Sequence, residues 1–219
     1  MTHVRRFVTM MAIYLAFLIY VVIAGSCNCF RPPQPVSPGL ATTQARVTVK
    51  VISVCFSNEG MRIGFASGVV VAPTRVLTAY HAVECSGTLG IGLVLADEKT
   101  ELRATVQVVD LERDIAALKV DGYIQAPAIL IGPVPEVGEQ VCIATAVPIR
   151  VRRCGDVQIS SNAFPGNVFH TAIVEPGNSG GGVFDRRGRL VAITTHYVTC
   201  ISGQLCAGRA SSLHGGLIK

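Results

Sequence analysis

From about residue 46 onward the chain alternates apolar and polar residues in short runs, each closed by Gly, Pro, Asn or Asp. RVTVKVISVCF (46–56) has the period of two expected of a strand with one buried face. IGFASGVVVA (63–72), RVLTAY (75–80), LGIGLVLA (89–96), LRATVQVVD (102–110) and IAALKV (115–120) follow in the same style. A Pro- and Gly-rich bridge, QAPAILIGPVPEVG (125–138), interrupts the pattern. Strands then resume with EQVCIATAV (139–147), RVRRCGDVQIS (150–160), NVFHTAIV (167–174), GGVFD (181–185), RLVAITTHYV (189–198) and LCAGRAS (205–211). Two groups of six strands on either side of one bridge predict an all-β protein of two six-stranded antiparallel barrels, at about 46–120 and 138–211. No amphipathic helix is expected beyond a turn at Ala79–Val83, and no internal repeat is legible.

The amino-terminal segment has a different pattern. FVTMMAIYLAFLIYVVIA (7–24) is uncharged, follows His3, Arg5 and Arg6, and approaches the roughly 20 residues that cross a bilayer as a helix. Residues 1–29 are therefore expected to be a transmembrane or signal helix; a retained anchor, a cleaved signal and a lipoprotein signal ending at AGSC (24–27) remain alternatives. Each places the rest of the chain outside the cytoplasm, secreted or tethered to a membrane. FRPPQPVSPG (30–39) carries four prolines and predicts an extended spacer, so that residues 30–45 form a linker and the folded domain, 46–219, begins near Arg46.

Composition narrows the function. Of 219 residues, 50% are hydrophobic and 15% charged, which excludes a disordered body. The net charge of +5 is spread thinly, with no basic helix or aromatic-interleaved basic run, so no nucleic-acid partner is expected. Arg150, Arg152 and Arg153 are expected on one solvated strand face. Eight cysteines without paired C-x-x-C spacing point to disulfides and an oxidising compartment. No metal and no cofactor is expected.

Three short segments hold the candidate chemistry. VLTAYHAVEC (76–85) ends a strand on His81, DLERDIAALKV (110–120) places Asp114 before a strand, and EPGNSGGGVFD (175–185) sets Ser179 in a glycine-rich turn. A serine hydroxyl needs an imidazole to take its proton, the imidazole needs a carboxylate on its other nitrogen, and a developing oxyanion needs N–H donors already aimed at it. The N–H groups of Gly177 and Ser179 are the candidates for the last role. GNSGG also fits the G-x-S-x-G nucleophile elbow, but the elbow requires a helix after the serine, and GGVFDRRGRLVAI reads as strand, turn, strand.

TAYH around His81, DIAALKV around Asp114 and PGNSGGGVF around Ser179 resemble the three catalytic segments of trypsin-like serine proteases, in that order. The spacing is similar to the HtrA/DegP type, and the likeness covers about residues 47–211. The resemblance implies a double-barrel serine endopeptidase acting on protein or peptide substrates, with Ser179 as nucleophile, His81 as general base and acid, Asp114 as its orienter, and Gly177 and Ser179 as the oxyanion hole. It also implies bridges Cys55–Cys85, Cys142–Cys154 and Cys200–Cys206. Asn178 stands where zymogen-activated relatives carry an aspartate, so activation by a newly cut amino terminus is not expected. The chain ends soon after its last strand, and no PDZ domain is expected. The likeness places Ile173 at the base of the substrate pocket and Thr194, His196 and Tyr197 along its wall, with no acid at the base. That leaves an aliphatic or, through His196, an acidic side chain before the scissile bond. An inactive protease-like binding module and an esterase using the same site are the alternatives to peptidase action.

Overall fold

The computed structural model describes residues 38–147, 151–159, 166–199 and 205–213. The expected helix within residues 1–29 lies outside them, and no described helix is long and apolar enough to cross a membrane.

A helix, α1 (Pro38–Val47), comes first, where the sequence suggested extended linker. Pro38 sits at the first helical position, where its missing N–H costs nothing, and Leu, Ala, Gln and Arg then favour the helix. Gln44 and Val47 turn inward, one turn apart, and the Thr48 hydroxyl donates to Gln44 O at 2.7 Å, satisfying a carbonyl of the last turn. The prolines of the spacer masked this signal, and the ten residues are too few to show a periodic stripe.

Twelve strands follow among the described residues. β1 (Thr48–Ser57), β2 (Gly60–Ala72), β3 (Arg75–Ala79), β4 (Thr88–Val94), β5 (Glu101–Asp110) and β6 (Ile115–Asp121) close one barrel in the order β1-β2-β3-β6-β5-β4. β7 (Gln140–Thr145), β8 (Val151–Ile159), β9 (Asn167–His170), β10 (Gly182–Phe184), β11 (Leu190–Thr199) and β12 (Leu205–Ser212) close the other in the order β10-β11-β12-β9-β8-β7. The two orders are one topology used twice, a repeat that leaves no trace in the sequence. Full closure removes the exposed sheet edges that would otherwise invite pairing with other chains.

The barrels share apolar packing. β7 and β10 are buried along their whole length. Because side chains alternate, Ile143 and Val183 fill the second barrel, whereas Ala144, Phe184 and Ile193 join the cluster built on Val49, Leu77, Leu93 and Leu118 of the first. Strands buried on both faces read as continuous apolar runs, as EQVCIATAV does. The bridge between barrels docks on β11 through Leu190 N to Leu130 O and Gly132 N to Leu190 O, both 2.8 Å.

Two local expectations are corrected. β9 stops at His170, short of the predicted 167–174, because the chain turns at Thr171 into the loop that carries Ser179. Arg152 and Arg153 cannot share one solvated face, since neighbours on a strand point opposite ways. Both are partly buried: Arg152 Nε donates to Gln44 Oε1 at 2.6 Å, and Arg153 pairs with Glu175 at 2.8 Å.

Candidate active site

β3 is buried from Val76 to Ala79 and pinned to β6 with Ala79 opposite Ile115. That register sets Tyr80 beside Asp114, whose carbonyl accepts from Tyr80 N at 2.9 Å. The strand then breaks into a 3-10 turn, Tyr80–Ala82, which swings His81 out of the sheet. Asp114 has a φ of 55°, a left-handed conformation that Asp tolerates better than most residues. Its carboxylate so faces His81 twice: Oδ1 accepts from the backbone N at 2.8 Å, and Oδ2 lies 2.6 Å from Nδ1. An ionised carboxylate only accepts, so Nδ1 carries the hydrogen and Nε2 presents its lone pair. Nε2 is 3.0 Å from Ser179 Oγ.

Ser179 comes from the second barrel, on the loop between β9 and β10. Gly180 (φ 84°) must be glycine, because a Cβ there would overlap Ser67 O and the Thr78 hydroxyl. Asn178 is fully buried and spans the loop: its Oδ1 accepts from Glu175 N at 2.9 Å and its Nδ2 donates to Val147 O at 2.7 Å. With both ends of the amide engaged, Asn178 holds its part of the loop with neutral hydrogen bonds rather than an ion pair of its own. Among the described residues, the N–H groups of Gly177 and Ser179 donate to no protein acceptor.

Ser67, which the sequence analysis passed over, ties the barrels at this point. Its N–H donates to Ser179 O at 2.8 Å, its hydroxyl donates to Gly177 O at 3.0 Å and accepts from Ala146 N at 2.9 Å. Thr78 Oγ1 donates to Ser67 O at 2.7 Å. A polar residue inside the apolar run IGFASGVVVA is the only hint the sequence carries of this role; its complete burial is set by the fold.

The residues assigned to the substrate pocket are less concentrated. Thr194 is fully buried, His196 is exposed, and Ile173 is 52% exposed on the loop before Ser179; the Tyr197 side chain lies outside the described residues. His196 faces the histidine instead, with Nδ1 3.8 Å from Asp114 Oδ2 and ring centroids 5.4 Å apart. Partial burial holds its pKa below the usual histidine value, against the pull of Asp114 and with the help of Arg209 and His81. A cavity of about 260 Å³ opens on the other side, between Ser179, His81 and Gly177 and the first-barrel residues Arg62, Ile63 and Phe65. His81, Asp114 and His196 are the one group among the described residues that could hold a metal ion, with donor atoms within 4.8 Å of one another. That outer limit exceeds the separation of about 3.4 Å set by tetrahedral zinc, so closure on an ion would require the side chains to move.

Cys55–Cys85 and Cys142–Cys154 are bridged, the first flanking the histidine segment and the second joining facing residues of β7 and β8. Of the expected Cys200–Cys206 pair, Cys200 and the side chain of Cys206 lie outside the described residues.

The chain is 28% identical over 148 residues to a probable periplasmic serine endoprotease, DegP-like, of Pseudomonas savastanoi pv. phaseolicola (strain 1448A / Race 6). The match covers 63% of this chain and 30% of that relative, so the chain spans under a third of the relative's length. Two solved structures share the fold. One is the Rv3671c protease in its inactive form, with TM-score 0.66 and 18% identity over 83% of this chain and 91% of that one. The other is the HtrA-type protease AlgW with tripeptide, with TM-score 0.67 and 23% identity over 81% and 60%. A family model for the trypsin-like peptidase domain matches residues 66–193, more than half of the chain and every residue from Ser67 through His81, Asp114 and Ser179, and the chain belongs to that family.

Proposed function

We propose that this chain is an extracytoplasmic serine endopeptidase that hydrolyses protein substrates through an acyl-enzyme. The observation that carries the reading is His81 lying between Asp114 Oδ2 at 2.6 Å and Ser179 Oγ at 3.0 Å, in hydrogen-bonding reach of both. As Ser179 Oγ attacks a carbonyl carbon, His81 Nε2 takes its proton, and the imidazolium that forms is stabilised by Asp114. The oxyanion is received by the N–H groups of Gly177 and Ser179. His81 then gives its proton to the leaving amine, the acyl group stays on Oγ, and a water activated by the same imidazole releases it.

The internal engagement of Asn178 supports a loop that needs no newly cut amino terminus. The bridged cysteines and the apolar run at 7–24 support action outside the cytoplasm, at a membrane if that run is retained as an anchor. An aliphatic residue before the scissile bond is favoured over an acidic one, since by the family resemblance Thr194 stands where glutamate-specific relatives carry a wall histidine, and His196 lies close to Asp114. The aligned donors and acceptors argue against an inactive binding module.

Fluorophosphonate labelling of the intact chain tests the reading. Label on the native protein and none on Ser179→Ala is expected; equal labelling of both, or none on either in folded protein, overturns it. Cleavage of a peptide library then separates peptidase from esterase action and aliphatic from acidic preference.

A further inference from the structure

Behind the loop that carries Ser179, between α1 and β7, lies a cavity of about 130 Å³. Gln44, Thr48, Thr145 and Arg152 supply its polar lining, and alanines of α1 and β7 the rest. Two features of the lining are unusual. Gln44 is 1% exposed, and its amide orientation is set because Oε1 accepts from Arg152 Nε at 2.6 Å. Its Nε2 is then a buried donor with no acceptor. Buried amide donors are nearly always paired, and one left bare beside a cavity points to an acceptor that enters it.

Arg152 is the second feature. Its Nε is used by Gln44 and its Nη2 lies 2.7 Å from Cys142 Sγ, a weak acceptor. No carboxylate pairs with it among the described residues, and burial pulls its pKa below the usual arginine value with no neighbouring acid to oppose the effect. Arg153, the next residue on the strand, has its carboxylate in Glu175. A partly desolvated guanidinium is often met by a carboxylate or phosphate.

We infer that this cavity is a binding site for a small monocarboxylate, whose oxygens accept from Gln44 Nε2 and Arg152 and whose short alkyl part lies against the alanines. The volume matches about four waters at ~30 Å³ each, which suits an anion of two to four carbons and is too small for a phosphosugar or nucleotide. The site adjoins the reactive loop: Thr145, which lines it, accepts through Oγ1 from Asn178 Nδ2 at 3.4 Å, and Asn178 precedes Ser179. Occupancy therefore bears on the loop that presents the hydroxyl. This second step rests on the proposed role of Ser179; binding itself does not.

Binding is measured by calorimetry and thermal shift on the full chain carrying Ser179→Ala, with acetate, propionate and butyrate. Chloride at equal ionic strength and acetamide, the neutral analogue, serve as controls. Saturable binding of the carboxylates is expected, with none of acetamide. Arg152→Gln should weaken it by about tenfold or more, the loss of one charge-assisted pair. Gln44→Glu supplies Arg152 with a carboxylate from within the chain, keeps the fold, and should abolish binding. No saturable effect, the same effect with acetamide, or undiminished binding in Gln44→Glu overturns the site. In the chain with Ser179 intact, propionate should change kcat for a peptide with the half-saturation measured for binding; a rate that stays constant at saturation overturns the coupling.

Discussion

The backbone N–H of Ser67 donates to the carbonyl of Ser179 at 2.8 Å, joining a strand of the first barrel to the reactive loop of the second. The Ser67 hydroxyl adds bonds to Gly177 O and Ala146 N. Ser67→Ala keeps the backbone bond and removes both hydroxyl bonds, leaving Ala146 N buried without an acceptor at a cost of about 1–3 kcal/mol. Tm should fall, and kcat should fall further than KM rises, because the loop loses its alignment rather than its substrate contacts. Steady-state kinetics beside a melting curve check this; unchanged kcat in a destabilised variant would remove Ser67 from loop positioning.

Asp114→Asn tests the orientation of His81. An amide can donate to Nδ1 and so stabilise the wrong tautomer, with Nε2 protonated toward Ser179. The expected loss in kcat is on the order of 10³–10⁴-fold with the fold intact. A loss under tenfold would mean that another group orients the imidazole.

His170 is fully buried in the second barrel with no well-formed hydrogen bond to its ring, and burial, opposed by weaker interactions with the backbone of Ala172 and His170 itself, pushes its pKa down to about 4. In the unfolded chain it titrates near 6.5. Between those values the unfolded state binds the proton more readily, so stability is complete above about pH 6.5, falls as pH drops toward 4, and levels off below it. The full loss is roughly 3 kcal/mol at about 1.4 kcal/mol per pKa unit. Denaturant unfolding from pH 7.5 to 3.5 should show this slope, and His170→Leu should flatten it.

The two bridges differ in the loop they close, with sequence separations of 30 and 12. In the chain-entropy account they contribute about 4 and about 3 kcal/mol. Cys55→Ser with Cys85→Ser should therefore lower Tm more than Cys142→Ser with Cys154→Ser. Thermal unfolding of the two double variants under oxidising conditions decides the order.

Phe184 is fully buried and belongs to the apolar cluster of the first barrel although its strand lies in the second. Phe184→Ala should cost about 3–5 kcal/mol, in the range for emptying a large core site. Because the seam carries the site, activity should fall at temperatures well below the unfolding transition. Urea unfolding and activity measured on the same samples check both.

Much of this protein was legible without coordinates. Short apolar-rich runs, alternating or continuous and closed by Gly, Pro, Asn or Asp, located eleven strands to within a few residues and β9 less closely, because strand pattern and turn residues are local features of the chain. TAYH, DIAALKV and GNSGG stood out as a set through their resemblance to the three catalytic segments of trypsin-like proteases, since each is a weak signal by itself. Facing was not legible. Met61, Ile63 and Phe65 alternate as a core face would, yet all three are exposed, and Ile63 and Phe65 line the cavity beside Ser179. Ser67 and His170 are ordinary letters in the sequence; their burial depends on which barrel wall closes over them. α1 was hidden by prolines that turned out to end where the helix starts. Alternation is encoded within a strand, whereas facing depends on which other strands arrive. Barrel closure and the seam between barrels therefore decided which of the alternating faces became core, which became cleft, and that residues 81, 114 and 179 meet.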